Sequence, residues 1–295
     1  MVRRALALLL MWLCLGCSAG PVTAPSIPSA EEPQPPIPEE TSSASDPAVP
    51  QYMVAFPGEY RGRTNTYVGG ISGPAPTPLI DAPADVSAGS WSLDGTQLLF
   101  RSNHEDGLRQ FSHIYIRDVV VDSTWRVTAK ADFFRAPRWA PDGVTIAVWV
   151  GKRLELTMPE GVRKVLHTQD ADQVSSAVWS PAGDRLVYAS RSGNPFAGEP
   201  IVGAVRTVRL DGSVTDVAAG PYLYGQPRWS TSGWLAFSWT ELTAAEIGYW
   251  ATPRQVTVVQ PDGTTRQIAG QDGTSLEYPI WDTDDERIIA VTGEG

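Results

Sequence analysis

Cysteine and histidine are scarce in this 295-residue sequence, which contains 2 and 3 of them respectively. Two cysteines are too few for a disulfide framework or a cysteine-based zinc site. Basic residues are outnumbered, because 23 Lys and Arg face 33 Asp and Glu and leave a formal charge of -10. A chain of that charge repels a phosphate backbone, so no nucleic-acid partner is expected. Helical periodicity is also missing, which points to an all-β protein.

The first sixteen residues have the features of a signal peptide. Arg3 and Arg4 precede an apolar run over residues 5–15, which is shorter than the roughly 20 residues that a membrane-spanning helix needs. Gly16 stands directly before Cys17, and this ending resembles the lipobox of bacterial lipoproteins. The resemblance implies cleavage before Cys17, whose thiol then carries diacylglycerol and whose amine is acylated. That family prefers Leu three residues before the cysteine, where this sequence has Cys14, so an ordinary secretory signal cut elsewhere is the alternative.

Residues 17–50 are predicted to be the lipidated cysteine followed by a disordered tether. Residues 18–50 contain nine prolines and five acidic residues and no Lys or Arg. Such a segment buries too little apolar surface to offset the entropy of ordering. The resemblance therefore implies a protein anchored by lipid to the cell membrane or the outer membrane, facing the periplasm or the exterior.

Residues 51–295 contain one repeated pattern, in which a tryptophan is followed by a turn sequence and then by an apolar run. The tryptophans lie 48, 40, 50 and 52 residues apart, a period typical of propellers and solenoids. They are Trp91, Trp139, Trp179, Trp229 and Trp281. The turn over residues 139–143 reads Trp-Ala-Pro-Asp-Gly, and such sequences suit a type I turn closed by a left-handed glycine.

The strand after each turn is apolar without alternation, as expected when a sheet is covered on both faces. Further short strands follow in each repeat, so the repeat predicts a four-stranded antiparallel propeller blade. The pattern resembles the repeat of TolB-type β-propellers, which are related to the WD-type repeats, and the resemblance covers residues 51–295. TolB also has a separate N-terminal α/β domain, for which this sequence has no counterpart, so a role in the Tol machinery is not implied.

The number of blades follows from the repeat length. A mean tryptophan spacing of 47.5 residues, from 190 divided by 4, predicts five blades in residues 51–295. The strands at the C-terminus are then expected to complete the N-terminal blade and close the ring, which hides the sheet edges. Because residues 53–56 and 288–291 compete for the same strand position, a six-bladed ring is the alternative.

No catalytic residue, metal site or cofactor is predicted. TolB-type propellers also precede serine peptidase domains, but the sequence has no G-x-S-x-G elbow. Propeller lyases hold a metal with several histidines and carboxylates, whereas His104, His113 and His167 are scattered here. The acidic residues 282–286 lack the spacing of a calcium loop and are interpreted as a solvated turn. A propeller lyase or hydrolase is therefore the weakest of the functional alternatives.

Aromatic residues are concentrated between positions 222 and 250, where eight occur in 29 residues. Trp239, Tyr249 and Trp250 flank an apparent insertion over residues 240–254, interpreted as a long loop, and they are the candidate ligand-binding residues. The alternative is that they cap the blade hydrophobically. The function predicted first is a non-catalytic protein-interaction module with a partner in the cell envelope. The second is a lipoprotein that binds carbohydrate or another small ligand through this aromatic insertion.

Overall fold

The computed structural model describes residues 53–293, except for residues 72–73, 106–110, 130–131, 133, 159–162, 195–196, 246–247 and 271–272. Its regular elements are 24 β-strands, which confirms the all-β prediction. A helix able to cross a membrane does not occur among these residues. The predicted signal peptide and tether, with Cys17, lie outside the described residues.

The first sheet is a three-stranded antiparallel sheet. Its strands are β1 (Met53–Tyr60), β2 (Arg63–Gly70) and β3 (Thr77–Pro78). Arg61 and Gly62 join β1 to β2 with φ angles of 51° and 75°. Two positive φ values in a two-residue connection match the twist of the flanking strands, so this turn fixes the register of the hairpin.

The second and third sheets are four-stranded antiparallel meanders. The second contains β4 (Val86–Trp91), β5 (Gln97–Ser102), β6 (His113–Asp118) and β7 (Ser123–Arg126). The third contains β8 (Phe134–Trp139), β9 (Ile146–Val150), β10 (Arg153–Thr157) and β11 (Arg163–Thr168). Each strand pairs with the next in the chain, as predicted for a propeller blade.

The fourth and fifth sheets have the same order, but their first strand is broken in two. The fourth contains β12 (Gln173–Val174), β13 (Val178–Trp179), β14 (Arg185–Ser192), β15 (Val202–Arg209) and β16 (Val214–Gly220). The fifth contains β17 (Tyr222–Tyr224), β18 (Arg228–Trp229), β19 (Leu235–Ala245), β20 (Gly248–Ala251), β21 (Gln255–Val259) and β22 (Thr265–Ile268). The sixth sheet contains only β23 (Ser275–Trp281) and β24 (Ile288–Gly293).

The turn after each repeat tryptophan has the predicted left-handed residue. Four of the five turns use glycine there, with φ between 69° and 85°, at Gly95, Gly143, Gly183 and Gly233. In the fifth turn Asp285 takes this place with φ 58°. Asp tolerates the left-handed region better than most residues, so the altered fifth repeat keeps the hairpin geometry.

The strand after each turn is buried on both faces in the complete sheets. In β5, Leu98 packs toward the first sheet and Leu99 toward the third. In β14, Leu186 and Val187 are divided in the same way between the third and fifth sheets. Five clusters of this kind join the six sheets in chain order. The uninterrupted apolar runs arise because successive residues serve two different neighbouring sheets.

The two terminal sheets differ from the expected shared blade. Among the described residues, β24 pairs with β23 and β1 pairs with β2, and neither a ladder nor a buried cluster joins β24 to β1. Pro57 lies in the middle of β1 and has no N–H to donate to another strand, which weakens this edge for pairing. The predicted four-stranded antiparallel blades are confirmed, and a partial sheet stands at each end of the series.

Candidate functional site

Trp239 lies on β19 and belongs largely to the blade framework. Its indole packs against the cluster between the fourth and fifth sheets. The indole Nε1 donates a hydrogen bond to Thr257 Oγ1 at 3.0 Å, and its ring lies 4.9 Å from that of Tyr222 in an edge-to-face contact. Both the apolar body and the polar atom of Trp239 therefore have partners within the blade.

The insertion that contains Tyr249 and Trp250 is mainly a β-hairpin and not the long loop expected from the sequence. β19 continues to Ala245, and β20 returns along it with Ala244 opposite Tyr249 and Thr243 opposite Trp250. Thr240 Oγ1 donates to the carbonyl oxygen of Thr252 at 2.6 Å, near the base of this hairpin. Backbone pairing thus orders the insertion, and whether Trp239, Tyr249 and Trp250 bind a ligand stays a prediction.

A cleft of about 320 Å³, lined by both polar and apolar side chains, opens between the third and fourth sheets. His167 on β11 lines the cleft and contacts Tyr188 on β14, with the hydroxyl oxygen 3.1 Å from Nε2. Arg206 on β15 donates through Nε to Asp216 Oδ1 at 2.7 Å and through Nη1 to Ser190 Oγ at 3.0 Å. Four strands from two blades therefore contribute side chains to these hydrogen bonds.

The surroundings of the cleft favour the uncharged forms of His167 and Tyr188. Desolvation, and next the positive charge of Arg206, lower the pKa of His167 below its ordinary value of 6.5. Burial raises the pKa of Tyr188 above 10.0, although Arg206 opposes this effect. His167 is therefore a neutral imidazole and Tyr188 a neutral phenol at pH 7, while Arg206 stays charged and forms an ion pair with Asp216.

Sequence reasoning treated His167 as an ordinary strand residue because its partners lie in another blade. The side chains that complete the cleft come from positions 167 to 214 and share no motif. A contact of this type depends on how two sheets pack, so no local pattern in the sequence could have indicated it.

A second feature is the outer face of the sixth sheet, here called the C-terminal face and formed by Ile280, Ile289 and Val291. Ile280 lies opposite Ile289 in the β23–β24 ladder, and Val291 lies opposite Glu277. Glu277 is paired with Arg254 at 3.2 Å, which compensates the charge next to this face. Tyr278, which has a positive φ of 51°, projects beside it and is 65% exposed.

The C-terminal face is exposed where the other sheets are buried. Each repeat tryptophan pairs with one residue of the next strand, and the residue that follows this partner is Ile289 in β24, Leu99 in β5, Ala147 in β9, Val187 in β14 and Ala236 in β19. Those four residues are at most 1% exposed because each faces the next sheet of the series, whereas Ile289 is 48% exposed. The sequence at this position is that of a covered sheet, and the described residues do not cover it.

The opposite end of the series has a similar outer face on β1 and β2. Val54 and Phe56 are 38% and 42% exposed, and the ring of Phe56 stacks on that of Tyr67 at 5.9 Å. Apolar side chains that belong to sheet faces are therefore exposed at both ends of the array of blades.

Within the acidic segment 282–286, Asp282 and Asp285 accept hydrogen bonds from protein donors. Asp285 accepts hydrogen bonds from Thr231 N and Oγ1 at 2.9 and 2.6 Å and from Ser232 N at 2.5 Å. Asp282 Oδ2 accepts a hydrogen bond from Arg287 Nε at 2.8 Å. A group of three or more His, Cys, Asp or Glu side chains suited to a metal ion was not found in the described part of the chain.

No family model and no curated protein matches this sequence, whereas solved structures match it at the level of the fold. An oligogalacturonate lyase from Vibrio parahaemolyticus superposes with a TM-score of 0.55 at 13% identity, over 80% of this chain and 65% of the lyase. TolB from Acinetobacter baumannii superposes with a TM-score of 0.53 at 13% identity, over 78% of this chain and 60% of TolB. The β-propeller domain of the Trilobed protease from Pyrococcus furiosus has an open velcro topology. It superposes with a TM-score of 0.51 at 10% identity, over 79% of this chain and 69% of that domain.

These likenesses confirm the predicted fold class, a β-propeller of the TolB type. The chain spans less than two thirds of the length of the lyase and of TolB. At these identities the similarity concerns the fold alone, so the function has to be argued from the surface and the site of this chain.

Proposed function

We propose that this protein is a lipid-anchored β-propeller of the cell envelope and that it acts as a non-catalytic protein-interaction module. In this proposal Cys17 carries the lipid, which holds the chain at a membrane, and residues 18–50 separate the propeller from the lipid surface. The anchor is supported by the apolar leader and by the Gly16–Cys17 junction in the sequence.

One observation carries the interaction role, namely the exposure of the C-terminal face. Ile280 and Ile289 are 53% and 48% exposed, and they lie side by side with Val291 on one surface of a sheet. Contiguous exposed apolar side chains of this kind mark interaction surfaces more often than they mark ordinary monomer surface.

The chemistry of the partner follows from the rest of the chain. In each complete blade, the surface that corresponds to the C-terminal face is covered by an apolar face of another β-sheet. We therefore propose that the partner presents an apolar face of a β-sheet, and that its aliphatic and aromatic side chains interdigitate with Ile280 and Ile289 as sheets do in a core.

Photo-cross-linking in intact cells tests this proposal. A photoreactive amino acid replaces Ile289 in one full-length variant and Leu93, which is 84% exposed on the turn of the second sheet, in a control variant. The expected result is a discrete protein adduct from position 289 and none from position 93. An adduct confined to the chain's own residues 53–70, or a homodimer, would identify a different occupant of the face and overturn the proposed partner.

The anchor is tested separately by metabolic labelling with a palmitate analogue. Label is expected on the wild-type chain and not on Cys17→Ser. Equal label on the two chains would refute lipidation at Cys17 and leave the interaction role to be judged by cross-linking.

Binding of a small polar ligand, including a carbohydrate, is a second candidate function, and the cleft beside His167 favours it. Its hydroxyl, amide and imidazole groups, next to the exposed Val202, could bind ligand hydroxyl groups. A glycan array compares the wild type with Ser192→Trp, which fills the cleft, and with Trp250→Ala. Loss of signal only in Ser192→Trp supports the cleft, loss only in Trp250→Ala supports the aromatic insertion, and no signal in any chain excludes carbohydrate.

A further inference from the structure

The strand β24 is the second strand of its sheet, but it has a hydrogen-bonded neighbour on one side only. The second strands of the four complete sheets are β5, β9, β14 and β19, and each of them lies between a first strand and a third strand. β24 has the same place in the repeat, because it follows the turn after Trp281 and its Ile288 pairs with that tryptophan. Among the described residues, β24 pairs with β23 alone, so its second edge is unpaired there.

The backbone of β24 presents hydrogen-bonding groups along this unpaired edge. The N–H of Asp282 donates to the carbonyl oxygen of Arg287 at 3.0 Å, so these two residues form a hydrogen-bonded pair across the turn. Hydrogen-bonded and non-hydrogen-bonded pairs alternate along an antiparallel ladder. The N–H and C=O groups of Ile288, Ala290 and Thr292 consequently point away from β23. A strand added at this edge would bond to these three residues, as β6 bonds to β5 in the second sheet.

The edge of β24 lacks the side chains that protect other sheet edges. Natural proteins discourage pairing at an edge with charged residues or proline. β24 has the sequence Ile-Ile-Ala-Val-Thr-Gly, which contains neither. The outer strand of each complete sheet carries an exposed charged residue, and these residues are Arg126 in β7, Lys164 in β11, Asp216 in β16 and Arg266 in β22. β24 therefore has the sequence of an internal strand although one of its edges is unpaired.

The third strands of the complete sheets show what kind of segment pairs at this place. They are β6, β10, β15 and β21, which run antiparallel to the second strand and contain five to eight residues. Their central residues are apolar and buried, such as Ile114 and Ile116 in β6 and Val256 in β21. β-branched residues of this kind suit a pleated surface that is covered on both faces. A segment that fits β24 is therefore extended, apolar and at least five residues long.

The chain's own β1 does not match this description. Pro57 has no N–H to donate, and Glu59 would bring a carboxylate into the sheet two residues later. β1 is also paired along its whole length with β2. The matching segment is therefore expected from another protein.

We propose that the partner that covers the C-terminal face also supplies an extended apolar segment, which pairs antiparallel with β24 as the third strand of the sixth sheet. This inference rests on the proposed interaction role, because it assigns the segment to the same partner. Main-chain hydrogen bonds to Ile288, Ala290 and Thr292 give affinity, whereas alternate side chains of the segment contact Ile289 and Val291 on the C-terminal face. The partner is thus recognised by a strand of at least five residues and not by a charged group.

A proline substitution tests the strand pairing and leaves the side chains of the C-terminal face in place. Ala290→Pro removes an N–H from the unpaired edge of β24, and because this N–H points away from β23, the pairing of β23 with β24 is retained. The variant also carries a photoreactive amino acid at position 289, and it is irradiated in intact cells. The yield of the partner adduct is expected to fall about ten-fold or more, since a main-chain hydrogen bond is lost and the proline ring obstructs the edge.

Gln267→Pro, with the same photoreactive residue at position 289, is the matched control. The N–H of Gln260 donates to the carbonyl oxygen of Thr264 at 2.8 Å, and alternation along the ladder directs the N–H of Gln267 outward from β22. This variant therefore removes an outward N–H from the edge of the fifth sheet. Its adduct yield is expected to stay within about two-fold of the chain without proline.

The outcomes separate the strand pairing from the interaction role. An undiminished yield in Ala290→Pro would overturn the strand pairing and leave the interaction role standing. Absence of a partner adduct from position 289 in the chain without proline, or an adduct within the chain itself, would overturn both. An equal loss of yield in Gln267→Pro would show a general effect of proline on the fold and would also overturn the strand pairing as the cause.

The register of the adducts decides the matter if Ala290→Pro fails to fold. Photoreactive residues are placed at positions 289 and 291 in separate chains without proline, and mass spectrometry maps the partner residue that each one reaches. Antiparallel pairing predicts that the mapped site moves by about two residues toward the partner's N-terminus from the first probe to the second. A site that does not move, or that moves in the opposite direction, would overturn the strand pairing.

Discussion

Ile289 lies directly opposite Ile280 across the β23–β24 ladder, and together they form an apolar surface of the sixth sheet that the described residues do not cover. The equivalent position in the second sheet is Leu99, which is fully buried against the third sheet. Two residues at the same place in the repeat thus have different surroundings, one in the core between two sheets and the other on the exposed face that we propose as the interaction surface.

Substitution by alanine should separate these two roles. Leu99→Ala is expected to lower the free energy of unfolding by about 2–5 kcal/mol, because it leaves a cavity between two sheets. Ile289→Ala should cost less than about 1 kcal/mol in the purified chain, because its side chain is half exposed there. Urea unfolding followed by circular dichroism measures both values. A loss for Ile289→Ala as large as that for Leu99→Ala would mean that the face is already covered within the monomer.

Trp239 should contribute to stability through its hydrogen bond to Thr257. A double-mutant cycle with Trp239→Phe and Thr257→Val is expected to give a coupling energy of about 0.5–1.5 kcal/mol, the usual net value of such a bond. Urea unfolding of the two single variants and the double variant gives this energy. A coupling energy near zero would leave the indole nitrogen available for a ligand, as the sequence predicts for Trp239.

His167 should titrate below pH 6.5 in the folded chain, because desolvation and Arg206 both disfavour its protonated form. A histidine with a lowered native pKa contributes stability that is present above pH 6.5 and is lost as the pH falls toward the native value. Arg206→Met should raise the pKa of His167, since it removes the nearby positive charge. Proton NMR of the imidazole resonances measures the pKa of His167 in the wild type and in Arg206→Met. Arg117→Met, on another sheet, is the charge-matched control. An unchanged midpoint in Arg206→Met would contradict this electrostatic account of the cleft.

Asp285 should link the turns of the fifth and sixth sheets in a pH-dependent way. Desolvation tends to raise its pKa, but the hydrogen bonds from Thr231 and Ser232 outweigh this and hold the pKa well below 3.8. The carboxylate therefore contributes stability above pH 3.8 that is lost as the pH falls further. Asp285→Asn should be less stable than the wild type at pH 6, and the difference should shrink below pH 3.8.

The control for that measurement is Asp284→Asn, an exposed neighbour on the same turn. Its free energy of unfolding at pH 6 should stay close to that of the wild type, because the Asp284 side chain is exposed. If Asp285→Asn also follows the wild type, the contacts with Thr231 and Ser232 do not stabilise the fold.

The sequence was sufficient to predict the blades because their determinants are local. Gly95 and its equivalents indicate a left-handed turn, and apolar runs such as residues 98–100 indicate a strand covered on both faces. Even the weakest repeat was recognised correctly, since Asp285 can adopt the conformation that glycine has elsewhere.

The features that sequence reasoning missed depend on how sheets meet. The contact between His167 and Tyr188 joins β11 of the third sheet to β14 of the fourth. The expected pairing of β24 with the N-terminal sheet also depended on tertiary geometry, and Pro57 weakens the edge on which it relied. The insertion after Trp239 was expected to be a loop. It is a hairpin instead, because β19 continues beyond the part that pairs with β21 and there pairs with β20.

The central claim, that the C-terminal face is covered by a partner in the cell, is tested most directly by hydroxyl-radical footprinting. The oxidation rates of Tyr278 and Ile289 are compared between intact cells and the purified chain, with Leu93 as the exposed reference residue. The account predicts that Tyr278 and Ile289 are oxidised several-fold more slowly in cells while Leu93 reacts equally in both samples. Equal oxidation of all three residues in both samples would contradict it.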